Sequence, residues 1–183
     1  MSDLAHCFEN EGTMRGLRRH AEALTLVWVD VSLDGRDQFL VAEAARAWRA
    51  MRDAAANDNI ALHIESSFRS MERQRLIVQR KLDAGHTLAD IFRSVAPPGF
   101  SEHHSGRAVD IVSPDHPALD ERFETTAAFA WLTQHAATHG FTLSYPHGNT
   151  DGYVYEPWHW CFHSDLHVEQ RHARFMISPT AWC

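Results

Sequence analysis

The stretch from Asp37 to Asn59, DQFLVAEAARAWRAMRDAAANDN, carries apolar residues at Leu40, Ala44, Ala47, Trp48 and Met51. That spacing predicts one amphipathic helix, stopped by the polar run at its end. The period changes in IALHIESSF, where Ile60, Leu62 and Ile64 alternate as in a strand. Ser70 is placed to cap a helix over 71–84 that ends at Gly85. Thr87 and Asp90 have capping-box spacing for a short helix through Val95, after which Pro97, Pro98 and Gly99 force a loop.

Beyond that loop, RAVDIV (107–112) reads as a strand entered through a turn at Ser105–Gly106. Thr125 or Thr126 caps a helix that runs to Gly140. FTLSY (141–145) is a short strand, 147–152 a loop, and YVYEPWHWCF (153–162) a strand broken near Pro157. HVEQRHARFM predicts a last helix. Helices and strands alternate, and the short connections between late strands favour antiparallel pairing. The expectation is an α+β fold, one domain over 1–183 with a mixed or mainly antiparallel sheet.

A length of 183 residues suits a single core. A hydrophobic fraction of 44% and a charged fraction of 22% give no case for disorder. The formal net charge of −7 argues against a nucleic-acid partner. Cys7, Cys161 and Cys183 form no CxxC knuckle and no disulfide framework. The N-terminal residues lack the charged-then-apolar order of a signal peptide, and no run approaches the ~20 apolar residues of a membrane span. A cytoplasmic protein without a membrane partner is therefore expected, and a periplasmic one if the chain has been trimmed.

The candidate chemistry lies in GFSEHHSGRAVDIVSP, Gly99 to Pro114. On a strand over 107–112, Asp110 shares a face with Ala108, while Val109 and Ile111 face the core. A carboxylate inside an apolar run is costly unless it is paired or bound to metal. His103 or His104 can meet it from the preceding loop, because Gly106 permits a tight approach of the backbone. The other half is YEPWHW. There His159 shares a face with Cys161, and Trp158, Trp160 and Phe162 anchor the opposite face. Pro157 holds Glu156 extended, so an imidazole and a free carboxylate can approach one metal.

Two imidazoles and one carboxylate leave a tetrahedral zinc with an open position for water. A glutamate outside the ligand set can then exchange the proton. Asp110, His159 and one of the paired histidines suit the first role, and Glu156 the second. Arg69, where strand meets helix in SSFRS, offers a fixed positive group for an oxyanion. Singly, each residue has an ordinary explanation: a His–Asp hydrogen bond, a packed histidine, a solvated carboxylate, a surface arginine. Together they favour a site. His135 and His139 are four residues apart, but Ala136, Ala137 and Thr138 between them supply no glutamate base. His163 and His167 flank a predicted helix start, and neither pair is expected to bind a functional metal.

These residues resemble a known family. SEHHSGRAVD fits the SxHxxGxAxD pattern, and EPWH the ExxH pattern, of the LAS zinc peptidases. SSFRSMERQ is similar to the SGYRSxxxQ segment of the D-alanyl-D-alanine carboxypeptidase branch. That branch includes D,D-carboxypeptidases of vancomycin resistance and bacterial L,D-carboxypeptidases. The likeness runs from about Leu40 to Trp160, with three motifs in order. It implies a compact α+β, hedgehog-like peptidase fold around a small antiparallel sheet. It also implies one Zn²⁺ bound by His103, Asp110 and His159, which selects His103 over His104. Glu156 becomes the catalytic base, Arg69 the transition-state stabiliser, and Gln74 and Ser101 residues of the substrate site.

The likeness has departures. Ser67 and Phe68 replace the glycine and tyrosine of SGYRS, Ser144 stands where many relatives have arginine, and WHWCFH lacks an arginine that often follows the last motif. Both missing arginines could have met a substrate carboxylate.

The implied function is zinc-dependent removal of a C-terminal D-alanine from a peptidoglycan stem peptide or muropeptide. L,D-cleavage of a tetrapeptide is favoured because no signal peptide is visible. D,D-cleavage of a pentapeptide or of D-Ala-D-Ala is the alternative, followed by a phage-type L-Ala-D-Glu endopeptidase, for whose usual wall-binding module there is no room. A non-haem iron oxygenase would use the same ligand types but leave Glu156 and Arg69 without roles. A non-catalytic binding module would have no use for Glu156. The oligomeric state is not legible.

Overall fold

The helical run predicted from Asp37 divides at Val41. In the computed structural model, which describes residues 2–164, Val27–Val31 (β1) and Asp37–Leu40 (β2) form an antiparallel hairpin. Only then does the helix Ala42–Asn57 (α2) begin. The reason is period: Gln38 and Leu40 are buried while Asp37 and Phe39 are exposed, which is strand alternation. The signal was present in VWVDVSLDGRDQFL, two alternating runs around an Asp-Gly turn. Leu40 does belong to the core, but from a strand.

A second sheet holds His63–Ser66 (β3), Ala108–Val112 (β4), Phe141–Leu143 (β5) and His159–Phe162 (β6) in the order β3-β4-β6-β5. All its pairings are antiparallel, which bears out the α+β expectation. One face meets α2 and the helix Ala127–His135 (α5). There Ile64, Val109, Ile111, Trp160 and Phe162 pack with Trp48, Met51 and Leu132. Every residue of β4 is buried, so its other face is covered too.

All four strands of this sheet are shorter than the sequence predicts: β4 lacks Arg107 and β5 stops at Leu143, and the two larger differences have a visible cause. Ile60 lies in the connection from α2, where its N–H bonds to the Ala55 carbonyl and its backbone is not free to join the sheet. Of residues 153–162, only His159–Phe162 pair as a strand. Before them, Glu156 and Val154 donate to Tyr145 and Arg93 carbonyls instead.

The caps act as the sequence indicates. Ser70 accepts from Arg73 N–H at the start of Met71–Asp83 (α3), Thr87 caps Leu88–Ile91 (α4), and Thr126 caps α5. The helix expected through Val95 stops at Ile91. An unpredicted helix, Ser2–Met14 (α1), packs Phe8 against Val78, Ile91 and Phe92 of the α3–α4 region. The helix predicted over 167–176 lies outside the described residues.

Ser67 ties the hairpin to the main sheet. Its hydroxyl donates to Gln38 Oε1 at 2.7 Å and accepts from Phe39 N–H at 3.0 Å. The departure from glycine is thus used structurally, on the side facing the hairpin. Replacing Ser67 by Ala leaves the part-buried Phe39 amide and the buried Gln38 carboxamide short of partners. The expected cost is about 1–3 kcal/mol, read as a lower midpoint in urea unfolding.

Candidate metal centre and catalytic cleft

Strand alternation sends Val109 and Ile111 into the core and turns Asp110 to the opposite face. Antiparallel register then sets Asp110 directly opposite His159 on β6. A single 3-10 turn, Glu102–Ser105, brings His103 in from the loop side. Gly106 ends that turn at φ +64°, and a Cβ there would lie 2.9 Å from Leu26 Cδ2, so the turn requires glycine. His103, Asp110 and His159 are all buried and offer one donor atom each within 4.8 Å of one another.

The hydrogen bonds around the triad assign its protons. His103 Nδ1 lies 2.6 Å from the Ser67 carbonyl. A carbonyl only accepts, so Nδ1 carries the proton and the Nε2 lone pair is free. Burial pushes the His103 pKa down to about 4, against a partial upward pull from Asp110, so the ring is neutral at pH 7. Its bare Nε2 faces Asp110 Oδ2 at 3.2 Å. Two acceptors at that distance call for a cation between them. Burial also pushes the Asp110 pKa up, but the protonated His159 hydrogen-bonded to it holds the carboxyl ionised, below its ordinary range. These are the conditions a divalent metal needs: a neutral imidazole, an ionised carboxylate and a third donor beside them.

The third donor has a support that the sequence did not disclose. His159 Nδ1 lies 3.0 Å from Asp110 Oδ1, and its Nε2 lies 3.1 Å from Glu102 Oε2. Burial lowers the His159 pKa, but the two carboxylates reverse that and raise it to about 10. Glu102 is itself pushed up by burial and then down to about 2 by His159 and by Ser144, whose hydroxyl donates at 2.5 Å. At that pKa the metal-free His159 ring carries a proton on each nitrogen, one towards each carboxylate; a metal at the triad would displace the Nδ1 proton, and Glu102 would keep the one on Nε2. Ser144 serves this support. The signal available was the acidic residue directly before His103 in SEHH.

His104 is not part of the triad. Its Nε2 accepts from Gly99 N–H at 3.1 Å and its Nδ1 donates to the Arg69 carbonyl at 2.6 Å. Both nitrogens are spent tying the Pro97–Gly99 loop to the segment that carries Arg69. His135 and His139 are not open surface residues either: both are half-buried against the Trp131 ring, at centroid distances of 4.7 and 6.3 Å. His163 stands apart from the triad, and His167 lies outside the described residues.

The triad opens into a cleft of about 360 Å³ that also receives Arg69, Gln74, Ser101 and Glu156. All the site residues expected from the sequence thus come together. Arg69 is largely buried; its guanidinium donates to Gln74 Oε1 at 3.0 Å and Ser66 Oγ at 2.9 Å and lies 3.6 Å from Asp110 Oδ2. Gln74 donates in turn to the Ala96 carbonyl at 2.6 Å. Its amide is committed at both ends, so Gln74 orients Arg69 as well as lining the cleft. Glu156 is 7% exposed, and its carboxylate accepts no hydrogen bond from the described residues. Burial raises its pKa to about 7, and Asp110 adds to this against His159 and Arg69.

A small antiparallel sheet carrying a buried His–Asp–His set, with an unpartnered glutamate and a held arginine beside it, defines the LAS class of zinc peptidase. Residues 37–165 match the family model VanY, D-alanyl-D-alanine carboxypeptidase. The chain belongs to that family. It is 30% identical over 165 residues to the bifunctional D-Ala-D-Ala dipeptidase and carboxypeptidase VanXYC of Enterococcus gallinarum, covering 85% of this chain and 84% of the relative. It is 37% identical over 126 residues to YodJ of Bacillus subtilis (strain 168), which is 67% of this chain but only 45% of that protein's length. The solved structure of the LdcB LD-carboxypeptidase superposes with a TM-score of 0.74 at 30% identity, over 85% of this chain and 76% of that one.

The Glu102–His159 contact yields a direct prediction. Glu102→Ala should weaken zinc binding about 10- to 100-fold in chelator competition. Glu102→Gln, which still offers an oxygen to Nε2–H, should retain most of the affinity.

Proposed function

We propose that the chain is a zinc carboxypeptidase that removes the terminal D-alanine of a peptidoglycan stem peptide. The observation that carries this is the neutral His103 Nε2 facing the ionised Asp110 beside His159, with Glu156 unpartnered in the same cleft. His103 through Nε2, Asp110 through its carboxylate and His159 through Nδ1 would hold one ion. Zinc at that position supplies a Lewis acid for the scissile carbonyl and a water of lowered pKa.

The chain's own groups do the rest. Glu156, ionised, takes a proton from the attacking water and passes it to the departing amine as the C–N bond breaks. Its seclusion from other hydrogen bonds keeps the carboxylate available. Arg69, held by Gln74 and Ser66, directs its charge towards the oxyanion that forms on the carbonyl oxygen. Ser101, buried at the cleft wall, offers a hydroxyl to the peptide. Tyr145 lies tilted against His159 at 4.7 Å between ring centroids and covers one side of the ligand ring.

Within this reading, L,D-cleavage of a tetrapeptide is supported by the likeness to LdcB. D,D-cleavage is supported by the likeness to VanXYC. Incubation with tetrapeptide and pentapeptide muropeptides, followed by mass analysis, tests the assignment. Loss of one D-alanine from the tetrapeptide is expected; loss from the pentapeptide alone would overturn the L,D preference.

Glu156→Gln should lower kcat about 10²- to 10⁴-fold with zinc still bound. The pH dependence has a fixed sign. Glu156 acts as base only when ionised, so kcat/KM rises with pH through its pKa. That pKa is about 7 in the metal-free protein, and a cation at the triad moves it lower. The acid limb should therefore lie below pH 7 and vanish in Glu156→Gln.

A further inference from the structure

Lys81 is the only lysine in the chain; every other basic side chain apart from histidine is arginine. It lies on α3, seven residues after Gln74 and three after the buried Val78. That spacing puts the three on one helix face. Gln74 and Lys81 accordingly line the same catalytic cleft, about 10 Å apart along the helix axis. A cation in the last turn of a helix suits the helix dipole, but Arg80 already meets that requirement from the exposed side. The dipole does not explain a cation turned into the cleft.

The charges in the cleft show what Lys81 is available for. Arg69, the other cation lining it, is committed to Gln74, Ser66 and Asp110. The Lys81 ammonium has no hydrogen bond or ion pair with any described residue, although the residue is half-buried. The Ser144 hydroxyl is committed to Glu102 and is not free for a substrate carboxylate. Among the described residues, Lys81 is therefore the one uncommitted Lys or Arg lining the cleft, two helical turns beyond Gln74.

We propose that Lys81 is the charged group of a carboxylate subsite, binding a carboxylate of the stem peptide while its scissile bond lies at the triad. The proposal rests on the carboxypeptidase reading above. Two carboxylates share this chemistry: the free terminus of the residue released, and one carried by the retained peptide, on its γ-linked glutamate or on a diaminopimelate. Leu119, Val95 and Val154, which line the same cleft, supply an apolar wall that strengthens such a pair relative to water.

The solitary lysine allows a direct test. Reductive ¹³C-methylation of the zinc-loaded wild-type protein labels Lys81 and the terminal amine, and preserves the charge. Added D-alanine should shift the lysine methyl resonance if the released terminus is bound; the tripeptide product should shift it if the retained carboxylate is. In parallel, Lys81→Met should lower kcat/KM about 10- to 100-fold, mainly through KM, and Lys81→Arg should recover most of it. A penalty equal on all substrates assigns the released terminus. A penalty that disappears when isoglutamine replaces glutamate, or lysine replaces diaminopimelate, assigns that retained group. A resonance unmoved by either ligand, with Lys81→Met within twofold of wild type on every substrate, would overturn the proposal. Failure of the wild type to release D-alanine from any stem peptide would instead overturn the carboxypeptidase reading, and the resonance would still report on the subsite.

Discussion

A carboxylate buried on a fully buried strand sets the terms for the rest of the molecule. Asp110 has apolar neighbours on both sides along β4, in a strand with no solvent-facing residue. An unpaired charge there would cost several kcal/mol. Its surroundings meet that cost from two directions, His159 on the adjacent strand and Arg69 just after β3, while the bare Nε2 of His103 from the preceding turn leaves the third side to a metal. Each partner must arrive at a fixed position, which ties the glycine turn, the β4–β6 register and the cap of α3 to one requirement.

The partners are held in turn by groups that take no part in chemistry. The Ser67 carbonyl fixes the His103 tautomer, Glu102 with Ser144 fixes His159, and Gln74 with Ser66 fixes Arg69. His104 pins the loop between them. The polar layer is therefore nearly saturated with internal hydrogen bonds. Glu156 and Lys81 stand outside it, and both face the cleft. Groups left unpartnered beside a saturated network are the ones available to a ligand.

Much of this was legible in the chain. Asp110, His159, Glu156 and Arg69 follow from residue types placed on strands and turns whose periodicity is clear, the family resemblance adds His103 to them, and Ser70, Thr87 and Thr126 announce their helices. The β1–β2 hairpin was obscured because Leu40 continues the spacing of α2, although alternation and the Asp-Gly turn favour strands. Glu102 was not evident because nothing local distinguishes it from a solvated turn residue. Its importance arises only when Ser144 and His159 approach from more than forty residues away. The choice between His103 and His104 also needs tertiary contacts, since only these show that both His104 nitrogens are occupied by backbone.

Crystals of the zinc-loaded protein, measured on both sides of the zinc absorption edge, test the central claim most directly. The account predicts one anomalous peak, bonded to His103 Nε2, the Asp110 carboxylate and His159 Nδ1, with His159 Nε2 still on Glu102. A peak that engages His104, or that takes Glu156 as a ligand in place of Asp110, would contradict it.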